Sequence, residues 1–474
     1  MLFNTFSFFT FLLIVYVAYL FVFCRKKNLR NVFLLVASYV FYGWWDYRFL
    51  LLIFSVSLIS FLSGKFIDAY REDKRKSKMI LWANIVVNLL LLGYFKYVNF
   101  FIDSAKMLLS LFHIEADWPT LNVILPVGIS FYTFQALSYT IDVYKEKVQA
   151  TKDVVSYFTY IAFFPQLIAG PIERASNMLP QFSSVSKFDY DKARSGFLLI
   201  AVGLVKKMVI ADRLAVYVDG VWGNLHNADG LSLVVGLLFF SFQLYLDFSA
   251  YSQIAIGTAR LFGFELMQNF NSPYLSVSFA DFWKRWHISL TSWFRDYLYI
   301  PLGGNRKGVL FTYLNIFIIF LVSGLWHGAS WTFVVWGCLN GIFLIINKLV
   351  KWNPTNFFTG VLGAVVTFSL WTISLSFFRS QSISDAFYVL TNMGSSNADA
   401  LYDFGLNSME FGFVSKLLVV LMVLELFIEK KGELFYKVLN FVPIRWLVYI
   451  LLPLAIVYLG VYGASDNSFI YFQF

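Results

Sequence analysis

Two of the four histidines stand in surroundings where an imidazole is uncommon. His327 lies in GLWHGASWTFVVWG, between two apolar runs that together extend from Leu310 to Val350, and His287 lies in the aromatic, basic stretch FWKRWHISLTSWFRDYLYIPLGG. An imidazole titrates near neutrality, so it can take or give a proton at physiological pH. Among hydrocarbon it is costly unless a partner bonds it, and an ionisable group at that depth is by default a functional candidate. Gly324, Trp326, Gly328 and Ser330 around His327 read as a helix interrupted for a purpose. Glycine admits close approach of a backbone or a ligand, and an indole offers an N–H donor. The structural alternative is a histidine satisfied by a neighbouring carbonyl.

The elements that must hold these residues are membrane helices. The chain has 474 residues, of which 59% are hydrophobic, 20% aromatic and 14% charged, with a mean hydropathy of +0.67. No water-soluble domain hides that much apolar surface, so lipid must solvate most of it. Runs such as Phe6 to Phe23 and Trp446 to Tyr462 are continuous and long enough to span as helices, unlike the short alternating segments of a membrane barrel. The expected fold is therefore all-α and polytopic, a single integral membrane domain over residues 1–474, with about 11 crossings by run length plus partial entries. Residues 463–474 are expected to form an extracytoplasmic tail. The net charge of +9 comes in short clusters between apolar runs, such as Arg25, Lys26, Lys27 and Arg30. That pattern marks cytoplasmic ends and argues against nucleic acid as a partner. Cys24 and Cys338 make neither redox nor metal spacing, and no metal site is expected. The first apolar run, with no basic segment before it and no small-residue cleavage site, reads as a retained helix.

Between the long runs lie pieces too polar or too broken to face lipid. LPVGISFYTFQALSYTIDVY and FPQLIAGPIER are two of them, the second carrying a Glu173 and Arg174 pair read as structural. Lys206, Lys207, Asp212 and Arg213 interrupt the stretch from Gly196 to Val218, and Asp247, in a run expected to cross from Leu231 to Phe248, is a candidate polar contact in the core. From Phe279 to Tyr297 aromatic and apolar residues recur every three or four positions. This predicts one amphipathic helix capped by Ser278 or Asp281 and stopped by Gly303 and Gly304. His226, in an acidic loop, reads as solvated.

These stretches together resemble the membrane-bound O-acyltransferase superfamily, in particular the branch of alginate and peptidoglycan O-acetylation membrane subunits. The resemblance covers nearly the whole chain and is carried by the two polar pieces above and by the two histidine motifs. It implies a helical fold around a central funnel, a core histidine as principal catalytic residue and a second polar residue upstream, which fall on His327 and His287. On that basis His327 is the expected general base, and His287 or the indole of Trp326 the donor to an oxyanion. Lys284, Arg285, Arg306 and Lys307 are expected to hold a phosphorylated thioester donor such as acetyl-CoA, which is a substrate; no bound cofactor is expected. The ending FIYFQF resembles a motif of extracellular polysaccharide acylation systems, and Tyr471 within it is an expected acyl relay. The resemblance further implies a bacterial cytoplasmic membrane and an extracytoplasmic partner, an SGNH-type or related polysaccharide O-acetyltransferase. Two other readings stand beside it: a teichoic-acid D-alanylation subunit fed by a carrier-protein thioester, and a polar-solute transporter or flippase using the buried His and Asp residues as a relay.

Overall fold

The structure, a computed structural model, describes residues 1–23, 26–168, 170–184, 188–352, 354–394, 401–462 and 469–470. Among them all regular structure is helical, and eight helices are long and apolar enough to cross a membrane. The chain divides into two compact units, residues 1–196 with 255–267, and residues 197–254 with 268–474.

The first unit contains α1 (Phe6–Ala18), α2 (Lys27–Gly43), α3 (Phe49–Ala69), α4 (Lys74–Leu92), α5 (Val98–Ser110), α6 (Ile129–Tyr144), α7 (Val154–Ala162), α8 (Phe164–Leu167) and α9 (Ala175–Ser183). A π turn over Gly93–Tyr97 joins α4 to α5, making an apolar run of 37 residues. Helix α6 packs against α3 and α4. Its polar residues Ser130, Tyr132, Thr133, Gln135, Ser138 and Tyr139 are all buried, as their exclusion from lipid requires. Glu173 is buried and accepts from Asn177 Nδ2 at 2.8 Å and from Met267 N, a structural role. Arg30 corrects the sequence reading. It is a buried member of α2, donating to the carbonyls of Phe182 and Ser184 at 2.9 and 2.8 Å, and so is no loop charge.

The second unit is built from α10 (Tyr190–Leu204), α11 (Asp212–Gly223), α12 (Gly230–Leu261), α13 (Phe279–Arg285), α14 (Ile288–Phe294), α15 (Val309–His327), α16 (Trp331–Val350), α17 (Phe357–Arg379), α18 (Ile383–Thr391), α19 (Ser408–Asn440) and α20 (Val442–Leu459), of which α10 and α12 extend across the division. Helix α12 does not stop at Phe248 as expected. It continues to Leu261, 32 residues in all, because its polar positions Asp247, Ser249 and Ser252 are buried in protein and need no water. The amphipathic helix expected over Phe279 to Tyr297 is also corrected. Ser278 caps it as expected, accepting from Asp281 N at 3.1 Å, but it breaks at Trp286 and His287 into α13 and α14. His226 is exposed, with Nε2 3.6 Å from Asp385.

Helices α15 and α16 form a hairpin over Gly328, Ala329 and Ser330, and the Ser330 hydroxyl accepts from Thr332 N at 3.3 Å. The two helices meet backbone to backbone. A methyl group on Gly324 would collide with the Phe333 carbonyl, and one on Gly337 with the Phe320 carbonyl. Neither obstacle is a flexible side chain, so a main-chain shift is the only relief. Gly337→Ala is therefore expected to lose about 1–3 kcal/mol of stability despite alanine's better helix propensity. Thermal unfolding in detergent checks this against Gly412→Ala, whose added methyl meets nothing within 4 Å and should be neutral or slightly stabilising.

Candidate functional site

His327 is the last residue of α15, and Gly328 leaves the helix in extended conformation, so the imidazole stands where the hairpin turns. Only 4% of the residue is exposed. The ring is enclosed by aromatic neighbours: Trp326 and Trp336 each at 5.0 Å between centroids, and Phe378 of α17 at 5.6 Å, all roughly edge to face. Trp336 continues the enclosure to Trp371 at 6.1 Å and to Trp283 at 6.3 Å. Such rings make a dry, stiff wall with few rotatable bonds, and their indole N–H groups are the polar atoms within it.

His287 sits in the break between α13 and α14 with φ of 43°, a left-handed conformation that non-glycine residues seldom adopt. Asn269 holds the break from the side. Its carbonyl accepts from Ile288 N at 2.9 Å, and its Oδ1 accepts from Ser289 Oγ at 2.7 Å and Ser289 N at 3.3 Å. Asn271 N donates to Arg285 O at 3.0 Å, so both sides of the break are tied. Backbone strain kept in place by several bonds of this kind is found where a side chain must be aimed. His287 is 1% exposed, its ring lies 4.6 Å from Phe248 and 6.0 Å from Trp326, and neither nitrogen meets a hydrogen-bonding partner on another described residue. Burial pushes its pKa down, to about 3, so the ring is neutral at physiological pH. Trp326 thus meets both imidazoles, and the structure brings His287, Trp326 and His327 into one cluster.

The family model for membrane-bound O-acyltransferases matches residues 146–389, more than half of the chain, and the match includes both histidines. The chain belongs to the membrane-bound O-acyltransferase family. It is a multi-pass membrane protein and an O-acyltransferase by that membership. The chain is 41% identical to the probable alginate O-acetylase AlgI of Pseudomonas aeruginosa, over 78% of this chain and 70% of the other. It is 33% identical to the peptidoglycan O-acetyltransferase of Helicobacter pylori over 100% of this chain and 98% of the other. To the teichoic acid D-alanyltransferase of Bacillus subtilis it is 27% identical, over 67% of this chain and 81% of the other.

For this family member, the basic residues expected to hold a donor fall into two kinds. Lys284, Arg306 and Lys307 are exposed, the last two in the turn before α15, where Gly303 and Gly304 have φ of 108° and 57°. Arg285 is engaged, with Nε 3.0 Å from Asp281 and Nη1 3.0 Å from Glu429. Tyr471 lies outside the described residues. Sequence reasoning missed Phe248, Asn269 and Phe378. Phe248 and Phe378 are ordinary apolar residues at their helical positions, and Asn269 is one asparagine in an irregular segment, so none carried a signal of its own.

Proposed function

We propose that this enzyme takes an acetyl group from acetyl-CoA at the cytoplasmic face of a bacterial cytoplasmic membrane and passes it outward for O-acetylation of a cell-envelope polysaccharide. The observation that carries the reading is the pair of buried imidazoles sharing Trp326, inside the segment that matches an acyltransferase family. His327 acts as general base. It takes the hydroxyl proton as the oxygen attacks the thioester carbonyl, and returns the proton to the thiolate that leaves. The carbonyl oxygen, briefly an oxyanion, needs a donor, and neutral His287 or the Trp326 indole supplies it without a charge having to be buried. Lys284, Arg306 and Lys307 hold the donor's phosphates, and an SGNH-type or related transferase outside receives the acetyl group. In this scheme Tyr471 is the relay: its phenol accepts the acetyl group at His327, and the resulting aryl ester keeps much of a thioester's transfer potential, since a phenol of pKa about 10 leaves well. Identities of 41% and 33% to two O-acetyltransferases, against 27% to a D-alanyltransferase, support acetyl as the group moved.

Proteoliposomes offered labelled acetyl-CoA or labelled D-alanyl carrier protein test the reading. Label is expected to leave the thioester only in the acetyl case, and a transient mass increase of one acetyl group is expected on the C-terminal peptide. Transfer from the carrier protein alone overturns the acetyl assignment. A C-terminal peptide that never gains mass, with turnover unchanged in Tyr471→Phe, removes the relay.

A further inference from the structure

A second polar cluster lies in the same unit and plays no part in the chemistry above. The π turn over Val205–Ala211 carries Lys207 inward, where Nζ is 2.7 Å from Asp247 Oδ1 and 2.8 Å from Asp212 Oδ1, all three side chains 3% exposed. One cation faces two carboxylates. A buried carboxylate with charge to spare requires further hydrogen-bond donors. The other oxygen of Asp247 receives one from the far end of the chain, the Ile470 N–H at 2.8 Å. The preceding residue, Phe469, is fully buried, with its ring 4.5 Å from Tyr251 and 5.8 Å from Phe248. Phe248 in turn stands edge-on to His287 at 4.6 Å. Asp247, Phe248 and Tyr251 are neighbours on α12, so a single helix surface grips the pair Phe469 and Ile470 and touches His287. The end of α20 returns to the same place, Val461 N donating to Met208 O at 2.9 Å and Arg213 Nη2 to Leu459 O at 3.1 Å.

We propose that Lys207 and Asp247 are positioning residues that fasten Phe469 and Ile470 against α12, so that this terminal pair seals the His287 side of the core from solvent. Lys207 orients Asp247, Asp247 holds the Ile470 amide, and the Phe469 ring backs Phe248 where it meets His287. A seal there keeps water from an acyl group that His287 polarises. The inference rests on the placement of His287 in the acyl-transfer site, but its test does not use turnover.

Full-length protein in nanodiscs is treated with diethyl pyrocarbonate, and carbethoxylation of His287 and His226 is followed by peptide mass spectrometry. His226, whose side chain is 68% exposed, is the internal reference. Ile470→Pro removes the donating N–H, together with the buried isoleucine side chain, and is expected to raise the His287 modification rate roughly tenfold or more, the factor that follows from losing one hydrogen bond to a charged group. Asp247→Asn is expected to do the same more weakly, while Ile470→Val, which keeps the amide, stays at the wild-type rate. His226 stays constant throughout. Equal protection of His287 in wild type and Ile470→Pro overturns the proposal. If both histidines become reactive in Ile470→Pro, the protein has loosened generally, and Phe469→Ala decides: His287 rising alone supports the seal, and any other result overturns it. Because the reagent reads access, failure of the acetyl-transfer reading leaves this outcome interpretable.

Discussion

His327→Ala and His327→Gln are both expected to cut acetyl transfer by about 10²- to 10⁴-fold, the usual worth of a positioned general base. Glutamine keeps most of the volume between Trp326, Trp336 and Phe378, so a comparable loss in both variants separates proton transfer from packing. The pH profile separates the two imidazoles. A general base works only when neutral, so the rate falls as pH drops through its pKa. Burial has already pushed His287 down to about 3, which places its protonation well below the working range. An acid limb within the working range is therefore not the titration of His287 and should survive in His287→Gln, at a rate lowered by the loss of one oxyanion donor, roughly 10²- to 10³-fold. Disappearance of the limb in His287→Gln would exchange the two roles.

Lys207→Met should be among the most destabilising single changes in the second unit. It leaves Asp212 and Asp247 facing each other in a site almost closed to water. Removing one member of a buried ion pair typically costs about 3–5 kcal/mol, because the remaining charge is left without compensation. Thermal unfolding in detergent should show that loss, and Lys207→Met combined with Asp212→Asn should recover much of it. No recovery in the double variant would mean that the lysine contributes packing and not charge balance. The exposed pairs of Glu146 with Arg71 and Lys74 make the contrast, and Arg71→Ala should alter the midpoint little.

Much of this was legible in the sequence because the physics is local. Long uninterrupted apolar runs dictate helices in lipid, and an imidazole inside such a run points to chemistry without any tertiary knowledge. The glycines beside His327 also carried their meaning openly, since close backbone approach leaves few other residues possible. What stayed hidden depends on partners distant in sequence. Asp247 reads as a polar contact in the core, and it is one, but its partner Lys207 lies forty positions earlier and only the fold reveals it; helix α12 looked finished at Phe248 because polar residues follow. Arg30 read as a loop charge for the same reason, its carbonyl partners being about 150 residues away. The break at His287 gave no warning, since no glycine or proline marks it and the bonds from Asn269 that hold it come from a separate segment.

The contact of Gly324 with the α16 main chain has one more consequence. It lies one helical turn before His327, with no side chain between the two backbones to yield. The His327 imidazole therefore has a fixed origin, like a pin set in a frame, and in the proposed reaction does not drift to follow what is bound. Tolerance for acyl groups of different length must then come from the size and shape of the rings around it, Trp326, Trp336 and Phe378, and a change of donor preference should be sought in those three positions and not in the glycines of the hairpin.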